Sequence, residues 1–286
     1  MTLPRRTFLR QAAALIPIGT VRLPPENELA RIERQLGGRV GVSALDTGTG
    51  RRMQYRADQR FAMCSTFKVA LVAAVLRRAD RGECRLDQRL AFDSSALLPN
   101  SPVTTARVSE GGLSLEALCA AAIERGDNTA ANVLLAFTGG PARMTAFFRA
   151  WGDTITRLDR TETSLNDNLP NDPRDTTTAN AMLEMLRVML VDTDCLSDDS
   201  RARLTAWMRN EHNGVNRIRA GVPRDWIVAN KPGTSSNGAV NDVAIVRPPN
   251  RAPILIAVYT NAVNASSAAS IRAIQDIARL VSATLS

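Results

Sequence analysis

The sequence predicts an α/β protein of the α+β type. A five-stranded antiparallel sheet is flanked by N- and C-terminal helices, and an all-helical lobe is inserted between its strands. Three observations predict it. Two strand-like segments joined by Thr47-Gly48-Thr49-Gly50 lie near the start, and three more lie beyond residue 225. The stretch between, from about 65 to 210, is mostly helical in period. Strands from both ends therefore join one sheet, and the block between them is an insertion.

The elements follow in order. Residues 27–36 place Leu29, Ile32 and Leu36 at helical spacing, stopped by Gly37-Gly38. Val40, Val42 and Ala44-Leu45 make the first strand, and Arg51 to Arg56, with Met53 and Tyr55 on one face, the second. Helices are expected over 65–78, 114–124, 128–137, 141–150, 176–190 and 198–209. The longest segment between them, Arg160 to Asp175, holds Pro170 and Pro173 and suits an Ω-loop. Trp226 to Ala229, Val243 to Val246 and Ile254 to Tyr259 supply the last strands. Ile271, Ile274, Ile277, Leu280 and Val281 form the last helical stripe. Residues 27–57 with 210–286 then form an α/β lobe, and 58–209 a helical lobe. The cleft between them is the expected ligand site.

Composition narrows the function. The 286 residues can bury a large core, and 44% hydrophobic content is ordinary for a globular chain. The net charge is +8, and Arg5, Arg6, Arg10 and Arg22 account for half of it. The other basic residues form no run of five. With aromatics at 4%, nucleic-acid binding is excluded as a reading. Residues 1–26 carry Arg5-Arg6-Thr7-Phe8-Leu9-Arg10 and then a short apolar stretch, the pattern of a twin-arginine export signal. A periplasmic monomer without stable membrane association is expected, since no segment has the apolar length of a bilayer span.

Cys64, Cys84, Cys119 and Cys195 allow three pairings in an oxidising compartment, and their spacing selects none. Cys64 and Cys119 sit beside or within apolar runs and read as packing residues. The single histidine, His212, lies in the polar stretch Asn210 to Gly214, which reads as a loop. Without a second histidine or a C-x-x-C, no metal is expected, and no cofactor.

Ser65 and Lys68 are the most informative pair. They stand one helical turn apart at the head of the unbroken apolar run Val69 to Leu76. A helix start offers free N–H groups to a developing oxyanion. A lysine on so apolar a helix is costly to bury without a purpose. With His212 in a loop, a serine nucleophile must pass its proton to a lysine or a carboxylate.

Three further motifs follow in register: Gly126-Asp127-Asn128, Arg160-Thr161-Glu162-Thr163-Ser164-Leu165-Asn166 and Lys231-Pro232-Gly233-Thr234. With Ser65-Thr66-Phe67-Lys68, this set resembles the class A serine β-lactamases, over roughly residues 27 to 286. The resemblance implies a β-lactamase/transpeptidase-like fold and hydrolysis of penicillin- and cephalosporin-type lactams through a Ser65 acyl-enzyme. Lys68, or Glu162 through a water, would take the serine proton. Glu162 with Asn166 would hold the water that cleaves the ester. Backbone N–H groups of Ser65 and Thr234 would form the oxyanion hole. Asn128, Lys231, Thr234 and Ser235 would contact substrate. Arg217 would add a second carboxylate anchor, a helix-surface arginine being the competing reading. Asp127, Arg160 and Asp175 would be structural, the last two as an ion pair closing the Ω-loop neck. Asn100 lies where substrate contacts occur in the family.

Two positions depart from the family pattern. Gly126 replaces a serine whose hydroxyl relays a proton to the leaving nitrogen and touches the substrate carboxylate. Pro232 replaces a threonine or serine, removing a hydroxyl and a strand N–H. Impaired acylation with intact deacylation is the expectation. A catalytically weak homologue and a D-alanyl-D-alanine peptidase-like hydrolase are the alternatives.

Overall fold

The computed structural model describes residues 24–286. The arginine pair and most of the export segment lie outside the described residues. Helix α1, Pro25–Leu36, starts with proline in its first turn and ends at Gly37, whose φ of 68° lets its N–H reach Glu33 O and Arg34 O. Strands β1, Arg39–Asp46, and β2, Arg52–Tyr55, follow as an antiparallel pair. The middle of the chain holds β3 (Arg60–Ala62), α2 (Phe67–Asp80), β4 (Arg89–Ala91), α3 (Pro102–Ala106), β5 (Gly112–Ser114) and α4 (Leu115–Glu124). It continues through α5 (Asn128–Thr138), α6 (Pro141–Ala150), β6 (Thr176–Thr178), α7 (Ala179–Leu190), α8 (Asp198–Arg209) and α9 (Ile218–Gly221). Strands β7 (Ile227–Thr234), β8 (Ala239–Arg247) and β9 (Ile254–Asn261) and helix α10 (Ser267–Leu285) complete it.

The five-stranded sheet has the order β2-β1-β9-β8-β7, with every pairing antiparallel. Strands from both ends of the chain meet where β1 pairs β9. One face buries Val42, Ala44, Val258 and Ile256 with Leu29 and Ile32 of α1 and Ile274, Ile277 and Val281 of α10. The other buries Leu45, Leu255, Ala257 and Tyr259 with α2 and α7. Covered on both faces, β1 is buried from Val40 to Asp46 rather than alternately exposed, and it carries Ser43 and Asp46 among its apolar residues.

Helix α2 buries every residue from Phe67 to Leu76. Side-chain caps start α4, α5, α7, α8 and α10. Ser114, Asp127, Thr178, Ser197 and Ser266 each accept from a backbone N–H three residues on.

Several expectations shift. Residues 64–66 form a 3₁₀ turn ahead of α2, with Cys64 at φ 47°. Residues 176–178 are strand, not helix, and pair with β3. The strand expected at 226–229 runs on to Thr234. The ribbons β3·β6 and β4·β5 leave no sequence signal because three residues carry no period. All four cysteines are free. Burial pushes the Cys64 thiol up to about 12, consistent with a packing residue. Among the described residues, no helix is long and apolar enough to cross a membrane, and no cluster of His, Cys, Asp or Glu could hold a metal ion.

Candidate active site

A cleft of about 800 Å³ is lined by Ser65, Asn100, Gly126, Asn128, Asn166, Asn213, Arg217, Lys231, Pro232 and Thr234 among others. Another cavity of about 800 Å³ lies behind the Ω-loop, between Phe61, Leu169 and Val263, but it holds no nucleophile beside a base. Chemistry, not size, singles out the first.

Ser65 sits on the 3₁₀ turn, partly exposed, and Lys68 is wholly buried in the first turn of α2. Lys68 Nζ lies 2.9 Å from Glu162 Oε1, with both side chains fully buried. It also donates to Asn128 Oδ1 at 2.7 Å and Gly126 O at 2.8 Å. An isolated buried ammonium would be prohibitively costly, and these two acceptors together with the Glu162 charge offset that cost. The contact with Glu162 is an ion pair rather than an aligned hydrogen bond, and it stands one turn from the serine.

Glu162 is held at its backbone and its head. Its N–H donates to Asn132 Oδ1 and its carbonyl accepts from Asn132 Nδ2, both at 2.9 Å. Asn166 Nδ2 donates to Glu162 Oε2 at 2.6 Å. Asn166 Oδ1 is buried without a protein partner, an acceptor beside the carboxylate that suits a water.

The loop neck is far from a pair of surface charges. Asp175 is completely buried and bonds Arg160 Nε at 2.6 Å. Its Oδ1 accepts from the Asp159 and Arg160 N–H groups at 2.7 and 2.9 Å. Its carbonyl accepts from Met63 N at 2.9 Å, which ties the neck to the turn bearing Ser65. Asp127, also buried, caps α5 and accepts from the Val103 and Thr104 N–H groups at 2.9 Å.

Strand β7 forms the opposite wall. A Cβ on Gly233 would lie 2.8 Å from Met63 O and 3.2 Å from Ser65 N, so only glycine lets the strand pass this close to the nucleophile. Ser235 N bonds Ala239 O, which makes Gly233–Asn241 the next hydrogen-bonded pair. Thr234 and Pro232 then occupy the alternate pairs, whose N–H positions face the free edge and the cleft. This corrects the expectation for Pro232. Its missing N–H costs no ladder bond, and pairing runs unbroken from Ile227 to Thr234.

Lys231 is buried, and burial pulls its ammonium down to about 8, with Glu211 3.8 Å away opposing. Arg217 is no helix-surface arginine. It is buried, donating to Gly233 O at 2.8 Å, Asn241 O at 2.5 Å and Thr234 Oγ1 at 2.7 Å. Ser235 is bonded across to the Ω-loop. Its hydroxyl donates to Asn166 O at 2.5 Å, pinning the Ω-loop to β7, and accepts from Asn237 N at 2.9 Å. Asn128 uses its side chain on Lys68 and Pro99 O.

Sequence reasoning does not find Asn241, Glu211 or Asn213. Asn241 Nδ2 bonds Ala62 O at 2.9 Å and so helps hold the nucleophile's turn against the sheet. The polar loop at 210–214 does expose His212, yet its Glu211 is buried beside Lys231.

A family model described as the beta-lactamase enzyme family matches residues 24–285. The chain is 43% identical over 234 residues to beta-lactamase CTX-M-8 of Citrobacter amalonaticus, covering 82% of this chain and 80% of that one. It is 43% identical over 252 residues to a carbapenem-hydrolyzing beta-lactamase KPC of Klebsiella oxytoca, covering 88% and 85%. Among solved structures, the last common ancestor of Gram-negative bacteria class A beta-lactamase superposes with a TM-score of 0.89 at 50% identity, over 92% of this chain and 99% of that one. A beta lactamase from Burkholderia vietnamiensis gives 0.88 at 44% identity, over 93% and 97%.

Proposed function

The chain belongs to the class A β-lactamase family, serine hydrolases of the lactam amide, and on that premise we propose how its own residues divide the work. Ser65 attacks the lactam carbonyl. Its proton passes to Lys68, or through a water to Glu162, and the N–H groups of Ser65 and Thr234 receive the oxyanion. Glu162 and Asn166 then hold the water that hydrolyses the ester. The observation that carries this reading is the 2.9 Å contact of the buried Lys68 and Glu162 beside the nucleophile's turn. Purified protein should turn over nitrocefin. No turnover and no adduct would favour a catalytically inert homologue. A long-lived penicillin adduct would favour a peptidase-like hydrolase.

Acylation is the slow half. Gly126 has no hydroxyl to return a proton to the leaving nitrogen, and losing a positioned donor costs roughly 10²–10⁴ in rate. Rapid-quench mass spectrometry should therefore find little acyl-enzyme at steady state. A burst of near-stoichiometric adduct would overturn this assignment. The residue 1–26 segment would export the enzyme by the twin-arginine route to the periplasm, where it would act as a monomer.

Lys231 would face the substrate carboxylate as a cation. Its ammonium titrates near 8 in the free enzyme, so kcat/KM should fall above pH 8, approaching tenfold per unit. Lys231→Arg should move that limb upward, since a guanidinium stays charged. The stability sign is opposite. The unfolded chain keeps the proton that the native lysine loses between about 8 and 10.5, so this group's contribution to stability grows with pH across that window.

A further inference from the structure

Both departures from the family motifs touch one loop. A Cβ on Gly126 would lie 3.2 Å from Asn213 Nδ2 and 3.7 Å from Lys231 Nζ. A Cβ on Gly214 would lie 3.1 Å from Pro232 Cδ. The 211–214 loop thus stands between Gly126 and Pro232. It is held firmly: Glu211 Oε1 accepts from Asn213 N at 2.7 Å and Oε2 from Gly214 N at 2.6 Å. Asn213 Nδ2 also donates to Arg125 O at 3.0 Å. A carboxamide nitrogen carries two hydrogens. One is used on Arg125 O. The other has no acceptor among the described residues, and Asn213 lines the cleft with Ser65 and Lys231.

We infer that Asn213 is a substrate-contact residue: its free amide hydrogen bonds the lactam's carboxylate, the contact that a serine at position 126 gives in the family. The inference rests on the proposed placing of that carboxylate near Lys231. An amide N–H binds an anion but does not release its proton at neutral pH. Asn213 therefore restores the binding contact and not the proton relay, so good substrate binding coexists with slow acylation. Gly126 has φ 66°, a region that favours glycine, and a side chain there would press on the Asn213 amide at 3.2 Å. A serine at 126 would require the present Asn213 amide to give by a few tenths of an ångström.

The test compares benzylpenicillin with its methyl ester, which lacks the anionic acceptor. Asn213→Ala should shrink the ratio of their kcat/KM values by roughly tenfold, the scale of one hydrogen bond to a charged group. Asn213→Asp, which puts an anion in place of the donor, should shrink it further. Gly126→Ser should raise acylation more when combined with Asn213→Ala than it does alone. A merely structural asparagine would lower the melting temperature and leave the ester-to-acid ratio unmoved, and that result would overturn the inference. Wild-type turnover is the control. Its absence would overturn the proposed function, whereas turnover with an unmoved ratio overturns the role of Asn213 alone.

Discussion

Glu162→Gln should convert the enzyme into a penicillin trap. The change keeps the shape and the hydrogen bond with Asn166, but removes the carboxylate that activates water. Deacylation should fall by roughly 10²–10⁴, the range for a positioned general base. Mass spectrometry would then find near-stoichiometric acylated Ser65 where the wild type shows little. The outcome also reports on the proton route in acylation. If Lys68 alone takes the serine proton, the adduct forms at the wild-type rate. If Glu162 takes it through a water, acylation slows too. Rapid turnover by the glutamine variant would remove Glu162 from the mechanism. Loss of fold is a separate matter, read from the thermal midpoint, because Lys68 keeps Asn128 Oδ1 and Gly126 O as acceptors.

How much is legible in the sequence follows from where the signal resides. Buried elements with a period are readable: the all-apolar run after Lys68, the stripe of α10, and β1, which is covered on both faces. Ser65, Lys68, Glu162 and Asn166 can be named because motifs of fixed spacing carry them. What is not legible is who spends which hydrogen bond. Ser235 reads as a cleft hydroxyl, yet it bonds the Ω-loop backbone. Arg217 reads as a carboxylate anchor with a surface arginine as the competing reading, and the close approach of β7 shows it buried. The consequence of Pro232 depends on which pairs of the β7–β8 ladder exchange hydrogen bonds, a parity that sequence does not set. Asn213 lies in a polar loop without a motif. Its importance arises only because position 126, far away in sequence, lacks a side chain.

Asp175→Ala should destabilise the fold more than any substitution in the cleft named above. The carboxylate is fully buried and serves three donors: the Arg160 guanidinium and the N–H groups of residues 159 and 160. Removing it leaves two N–H groups without an acceptor and strips the Arg160 Nε of its carboxylate, although the guanidinium keeps Asp167 at 2.7 Å. Breaking a buried pair in this way costs about 3–5 kcal/mol. Asp175→Asn, which retains an acceptor, should lose less, about 1–3 kcal/mol. Urea unfolding measures both, and an alanine variant within about 0.5 kcal/mol of wild type would rank the neck with inconsequential surface sites. The effect should reach chemistry as well. The neck closes the loop that holds Glu162 and Asn166, and Asp175 O is bonded to Met63 N two residues before Ser65. Below its melting temperature the asparagine variant should therefore deacylate more slowly than the wild type, because the water-holding pair is less firmly placed. A weakened fold with unchanged deacylation would show that the neck supports the protein without positioning its catalytic carboxylate.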